Sequence, residues 1–271
     1  MTVLIRLAFL ALSALALGQP ARAHEFWIEP QGWQVPAGTD IVADIRVGQD
    51  FKGPEYSYFP PNFARFELVM GETSTPVPGR LGDRPAMTMP APAPGLAIIV
   101  HETTDKRLTY TEWETFVGFV THKAFADALA RHAARGLPET GFSETYRRYA
   151  KALVAVGGGA GADRRVGLDT EIVALANPYT DPLPGGLPVQ VFLGDTPRAG
   201  AQLEVFDRAP DGTLTLTRQT LDAEGRADVP VRAGHTYLLD AVVLRDTGTD
   251  DPGQGAVWHS MWASLTFHLP D

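Results

Sequence analysis

Between Phe26 and Val100, turn residues cut the chain at strand-length intervals: Pro30-Gln31-Gly32, Pro36-Ala37-Gly38, Pro60-Pro61-Asn62 and Pro78-Gly79. Proline removes a backbone donor and glycine relaxes φ, so no long helix runs through such a stretch. The pieces between the cuts read as short strands. Ile41, Ala43, Ile45 and Val47 share one parity, as do Phe66, Leu68 and Met70. Residues 96–100 form an unbroken apolar run, the pattern of a strand covered on both faces. Together they predict a β-sandwich over residues 24–110.

The period changes at Thr111. Thr111-Glu112-Trp113-Glu114 fits a capping box, and Trp113, Phe116, Val117, Val120, Ala124, Ala128 and Leu129 follow helical spacing until Gly136-Leu137-Pro138. A second helix is expected from Ser143, with Tyr146, Tyr149, Ala150 and Leu153 on one face. The run Gly157-Gly158-Gly159-Ala160-Gly161 reads as a flexible linker. Residues 111–165 are thus expected to be a helical insertion. From Val166 the alternation returns, with Asp211-Gly212 as a hairpin turn, and predicts a second sandwich over 166–271. The expected class is mostly β, two sandwich domains of immunoglobulin or transthyretin type flanking the insertion.

The first 23 residues read as a secretory signal peptide. Arg6 precedes an apolar run over residues 7–17, Gly18 and Pro20 break it, and Ala21-Arg22-Ala23 fits the cleavage rule. A retained membrane anchor would need roughly 18 apolar residues. An exported, periplasmic product without membrane insertion is expected. The chain has no cysteine, which removes disulfides and thiolate chemistry together. Its net charge of −9 repels nucleic acid, so no nucleic-acid partner is expected.

Any metal site must therefore use nitrogen, carboxylate or thioether donors. Cleavage after Ala23 would leave His24 with a free α-amino group beside its imidazole, a two-nitrogen chelate from one residue. Those groups titrate near ~7.7 and ~6.5, so a metal displaces their protons cheaply. On a strand, His24, Phe26 and Ile28 share one face, with Glu25, Trp27 and Glu29 on the other. His259 heads the apolar parity of Met261, Ala263, Leu265 and Phe267, and His101 ends the apolar run at 96–100. Each of these two is read either as a ligand or as a satisfied core-edge histidine. His132 reads as packed with Phe125 and Leu129, His235 as a solvated loop residue. The chain lacks HExxH, a phosphate-cradling glycine loop and a GxSxG elbow, and Thr249-Asp250-Asp251-Pro252 reads as a turn. No catalytic residue is assigned, and a non-enzymatic binding protein is expected.

His24-Glu25-Phe26-Trp27-Ile28-Glu29-Pro30 after the cleavage site resembles the start of a bacterial exported family. Trp113-Glu114-Thr115-Phe116, the stretch from Tyr146-Arg147-Arg148-Tyr149 to Val154, and the stretch from Glu171 to Tyr179 resemble it too. The later Gly200-Ala201-Gln202-Leu203-Glu204-Val205-Phe206 and Asp222-Ala223-Glu224-Gly225-Arg226-Ala227 resemble its transthyretin- or carbohydrate-type sandwich repeat. Formally a domain of unknown function, the family is usually labelled nickel uptake transporter family protein or periplasmic component of cobalt-type ABC transport. The resemblance implies binding of divalent nickel or cobalt and an inner-membrane transporter as partner, with His24 as the family's leading histidine. His101 and His259 come from strand parity alone. Two other readings stay open: a copper-binding protein using the same terminal chelate, and a carbohydrate- or protein-binding sandwich in which Trp33 and Tyr56 matter.

Overall fold

The computed structural model describes residues 25–271; the expected signal peptide and His24 lie outside the described residues. The strands in order are β1 (Glu25–Pro30), β2 (Gln34–Val35), β3 (Asp40–Gly48), β4 (Glu55–Tyr56), β5 (Phe63–Met70), β6 (Thr73–Pro76), β7 (Met87–Pro90), β8 (Gly95–Thr103) and β9 (Lys106–Tyr110). Helices α1 (Trp113–His122) and α2 (Ala128–Ala134) follow, then β10 (Phe142–Val156), β11 (Thr170–Ala174), β12 (Leu187–Leu193) and β13 (Thr196–Pro197). The chain continues through β14 (Gln202–Arg208), β15 (Leu214–Thr220), β16 (Arg226–Val229), β17 (Thr236–Asp246) and β18 (Trp258–His268).

A ten-stranded sheet runs β15-β14-β17-β18-β10-β8-β5-β6, with β2 and β9 also pairing β10. It forms the middle of three layers. One face packs against β11, β12 and β16 through Leu153, Val205, Leu239, Ile172 and Val189. The other face packs against β1, β3 and β7 through Ala150, Val154, Ile99, Ile28 and Ile41. Beside that layer, α1 and α2 cover Trp258, Trp262 and Val242 with Phe116, Phe119 and Val120. The molecule is mostly β, sheet on sheet, as expected, and its sandwiches share the middle sheet. Among the described residues no helix is long and apolar enough to cross a membrane.

Three local expectations are corrected. The helix expected from Ser143 is instead the 15-residue strand β10, paired with β8 and β9 on one side and parallel to β18 on the other. A strand buried on both faces is apolar at both parities, so Tyr146, Tyr149, Ala150 and Leu153 also satisfy helical spacing. Tyr149 and Leu153 in fact face one core and Ala150 and Val154 the other.

The single long helix expected from Trp113 ends at His122. Ala124 is left-handed, at φ 57°, and Glu112, not Thr111, caps α1 without a side-chain hydrogen bond. Lys123 sits at this break with its ammonium turned inward. A helix continuing past it would have carried that side chain elsewhere.

Residues 157–161 are a pinned turn, not a free linker. The buried Asn177 amide donates to the carbonyls of Gly159 and Gly161 at 2.8 and 2.9 Å. Gly159 is left-handed at φ 65°, and a Cβ there would lie 2.7 Å from that of Ala155.

Candidate functional site

Near the open end of the core between β1–β3 and the middle sheet lies a cavity of about 450 Å³. That volume is in the range of small-molecule pockets. Its floor comes from alternate positions of β8, β9 and β10: His101, Thr103, Lys106, Tyr146 and Arg148. In register Lys106 lies directly opposite Tyr146, and alternation puts Arg148, two residues on, on the same face. Phe26, Ile45, Val47 and Phe63 supply apolar walls, and Tyr56 and Phe59, 48% and 40% exposed, stand at the rim.

His101 is the deepest polar group. Its ring lies 4.6 Å from that of Phe63, 5.1 Å from Phe66 and 5.2 Å from Phe26. Neither ring nitrogen has a hydrogen-bond partner among the described residues. Burial penalises the imidazolium and pulls the pKa down to about 3, so the ring is neutral with one lone pair and one N–H to offer. An unpaired buried polar group costs about 1–3 kcal/mol.

Two cations border the same space. The Arg148 guanidinium lies over the rings of Phe26, Tyr146 and Trp262 at 5.7, 5.3 and 5.5 Å, and burial lowers its pKa. The Lys106 ammonium donates to Asn62 Oδ1, a neutral group, and has no ion pair among the described residues.

Behind Trp262 is a second charged cluster. Lys123 lies 4.8 Å from the Trp262 ring centroid and donates to Glu204 Oε2 at 2.5 Å and Asp240 Oδ2 at 2.7 Å. Burial works against the ammonium, but Asp240 and Glu204 outweigh it and raise its pKa. Glu204 also meets His122 and Arg218 at 3.0 and 2.8 Å. Burial favours its neutral form, yet the His122 hydrogen bond and the Lys123 ammonium hold its pKa at about 2. Glu25 is buried near Asp240; burial first and then Asp240 push it up to about 8.

His259 is elsewhere. It follows the parity of Met261, Ala263 and Leu265, which line the core against β11 and β12, whereas His101 faces the β1–β3 side. The sheet therefore separates His101 from His259, and the expected meeting of these two ligands does not occur. His259 Nδ1 is instead hydrogen-bonded to Thr145 Oγ1 at 3.0 Å. His235 pairs with Asp207 at 2.6 Å instead of standing free in a loop. His132 packs in the core beside α1, with Phe125 and Leu129 against the same cluster. Among the described residues no three histidine or carboxylate groups converge as a metal site.

Residues 21–245 match the family described as a domain of unknown function, DUF4198. The chain belongs to the DUF4198 family. That description names neither a metal nor transport. No protein of curated function matches this DUF4198 chain. A crystal structure of a tetra-tandem repeat in the extending region of a large adhesion protein is similar at 8% identity and a TM-score of 0.21. The alignment covers 90% of the DUF4198 chain and 49% of the other, so the chain spans about half that relative's length. Likeness at that level carries no argument about function.

The polar floor was not legible as a site. Tyr146 and Arg148 share a face only if their segment is a strand, and the helical reading hid that relationship. Lys106 follows Asp105 in sequence, but Asp105 receives Arg147 at 2.7 Å and does not pair with it.

Proposed function

We propose that the protein is exported, binds a divalent transition metal, nickel or cobalt, and supplies it to an inner-membrane uptake system. His24 would give its amine and imidazole, and His101 a third nitrogen. One observation carries this reading: among the described residues His101 keeps both ring nitrogens unpaired against Phe26, and a single residue, Glu25, separates Phe26 from His24 in sequence. A neutral imidazole has no proton for the metal to displace, and imidazole and amine nitrogens suit nickel, cobalt, copper and zinc. His259 is left out because it faces the other core.

Copper remains the competing cargo, since the same nitrogens bind it and the Irving–Williams order ranks it above nickel and cobalt. Periplasm-purified protein, shown by intact mass to begin at His24, would be titrated with each metal. The comparison is the same protein with one residue added before His24. Nickel or cobalt binding that the added residue and His101→Ala each remove supports the assignment. Binding indifferent to both overturns it, and binding confined to copper changes the cargo.

A further inference from the structure

Among the described residues the side chains that line the cavity carry charge of one sign, with Glu25 and Asp240 set behind Arg148. Of the side chains lining it, Lys106 and Arg148 are cationic and none is a carboxylate. The Lys106 ammonium is satisfied only by the neutral Asn62 amide among the described residues. Between the two cations stands Tyr146, the register partner of Lys106. Diagonal neighbours on adjacent strands lie roughly 7–8 Å apart at Cα, so two long side chains can close on one small anion. The remaining walls are flat and apolar, with Phe26 and Phe63 inside and Tyr56 and Phe59 exposed at the rim. The unpaired nitrogens of His101 mark the inner end.

We propose that this cavity is a binding site for a small organic carboxylate with an aromatic body. Lys106 and Arg148 hold the carboxylate, and the ring lies among Phe26, Phe63 and Tyr146. This goes beyond the metal reading and does not depend on it. A metal takes nitrogen lone pairs from histidines, whereas the carboxylate takes N–H donors from cations. The exposed aromatic rim then has a purpose, since it extends the apolar walls where a ligand would enter.

The test is calorimetric titration of EDTA-treated protein with 1-naphthoate and its uncharged isostere 1-naphthamide. The acid is expected to bind at least about tenfold tighter than the amide, the scale of one charge-assisted hydrogen bond. Lys106→Gln should remove about tenfold from the acid alone, and added salt should weaken the acid more than the amide. Arg148→Gln should act in the same direction. Because Arg148 packs on three rings, the half-exposed Lys106 is the deciding position. Equal affinity for acid and amide, no binding of either, or an unchanged acid affinity in Lys106→Gln overturns the proposal. Since no metal is present, none of these results bears on whether His24 and His101 bind one.

Discussion

His101 and His259 lie on opposite faces of one ten-stranded sheet, His101 against Phe26 and His259 beside Thr145. A sheet is a continuous barrier of hydrogen-bonded backbone, so no single ion is shared across it. His101→Ala should weaken metal binding by at least about 100-fold, whereas His259→Ala should change it by less than about twofold. Equal losses in both variants, read by competition titration, would break the single-face assignment.

Lys151 is enclosed in the layer facing β11. Its ammonium meets Asp163 at 2.7 Å, Glu171 at 3.0 Å and the carbonyls of Arg164 and Ile172 at 3.0 and 3.2 Å. Lys151→Met should cost about 3–5 kcal/mol, because it leaves two buried carboxylates without their cation. Adding Asp163→Asn and Glu171→Gln to that variant should recover part of the loss in urea unfolding. A single variant as stable as the parent would show that the cluster is not holding residues 163–172 onto β10.

The two acids on Lys123 should titrate in a fixed order. Glu204 is held by Lys123, Arg218 and a hydrogen bond from His122, and its pKa sits at about 2 although burial opposes this; Asp240 is raised by burial first, with Lys123 opposing. Glu204 therefore contributes stability above its unfolded value near 4.5 that is lost as pH falls toward 2. Asp240 works oppositely, costing stability as pH rises through its unfolded value near 3.8. Carboxyl-carbon NMR should show Asp240 protonating first on acidification and Glu204 last. Reversed order would mean that Lys123 belongs mainly to Asp240.

His132 offers a cleaner pH signal. Trp258 Nε1 donates to His132 Nδ1 at 3.1 Å, so the proton sits on Nε2, which donates to the Pro138 carbonyl at 3.0 Å. Burial lowers the folded-state pKa, and a second proton would face the indole N–H. Below the unfolded value near 6.5 the unfolded chain gains a proton that the folded one refuses, so stability falls with pH until the folded pKa is reached. His132→Gln should reduce that slope between pH 6.5 and 5 in chemical unfolding curves, with the buried His101 supplying part of what remains. An undiminished slope would assign it to another group.

What was legible in the sequence follows from which strands have one wet face. In β3 the inward set Ile41, Ala43 and Ile45 was readable because Asp44 and Arg46 mark the other parity. The run at 96–100 was equally clear, since Leu96, Ile98 and Val100 enter one core and Ala97 and Ile99 the other. In β10 the same two-sided burial came with Tyr and Arg at its start, and periodicity alone did not separate strand from helix. The buried lysines were illegible for another reason. Lys123 and Lys151 find acids at positions 204 and 240, and 163 and 171, and no local pattern announces a pairing across so much chain. His101 was noticed, but its isolation from hydrogen-bond partners is a property of three phenylalanines brought together by different strands.

Strand β10 also sets a schedule for folding. Its parallel partner β18 is more than a hundred residues downstream, as Thr145 opposite His259 shows. Until β18 has been synthesised, most of one edge of a long, apolar strand has no neighbour, and the core against β11 and β12 cannot close. Topology of this kind makes folding slow and leaves a sticky intermediate. Truncations that remove β18 should therefore yield aggregates and not a smaller working domain, and a nascent chain of this protein depends on being shielded until β18 arrives.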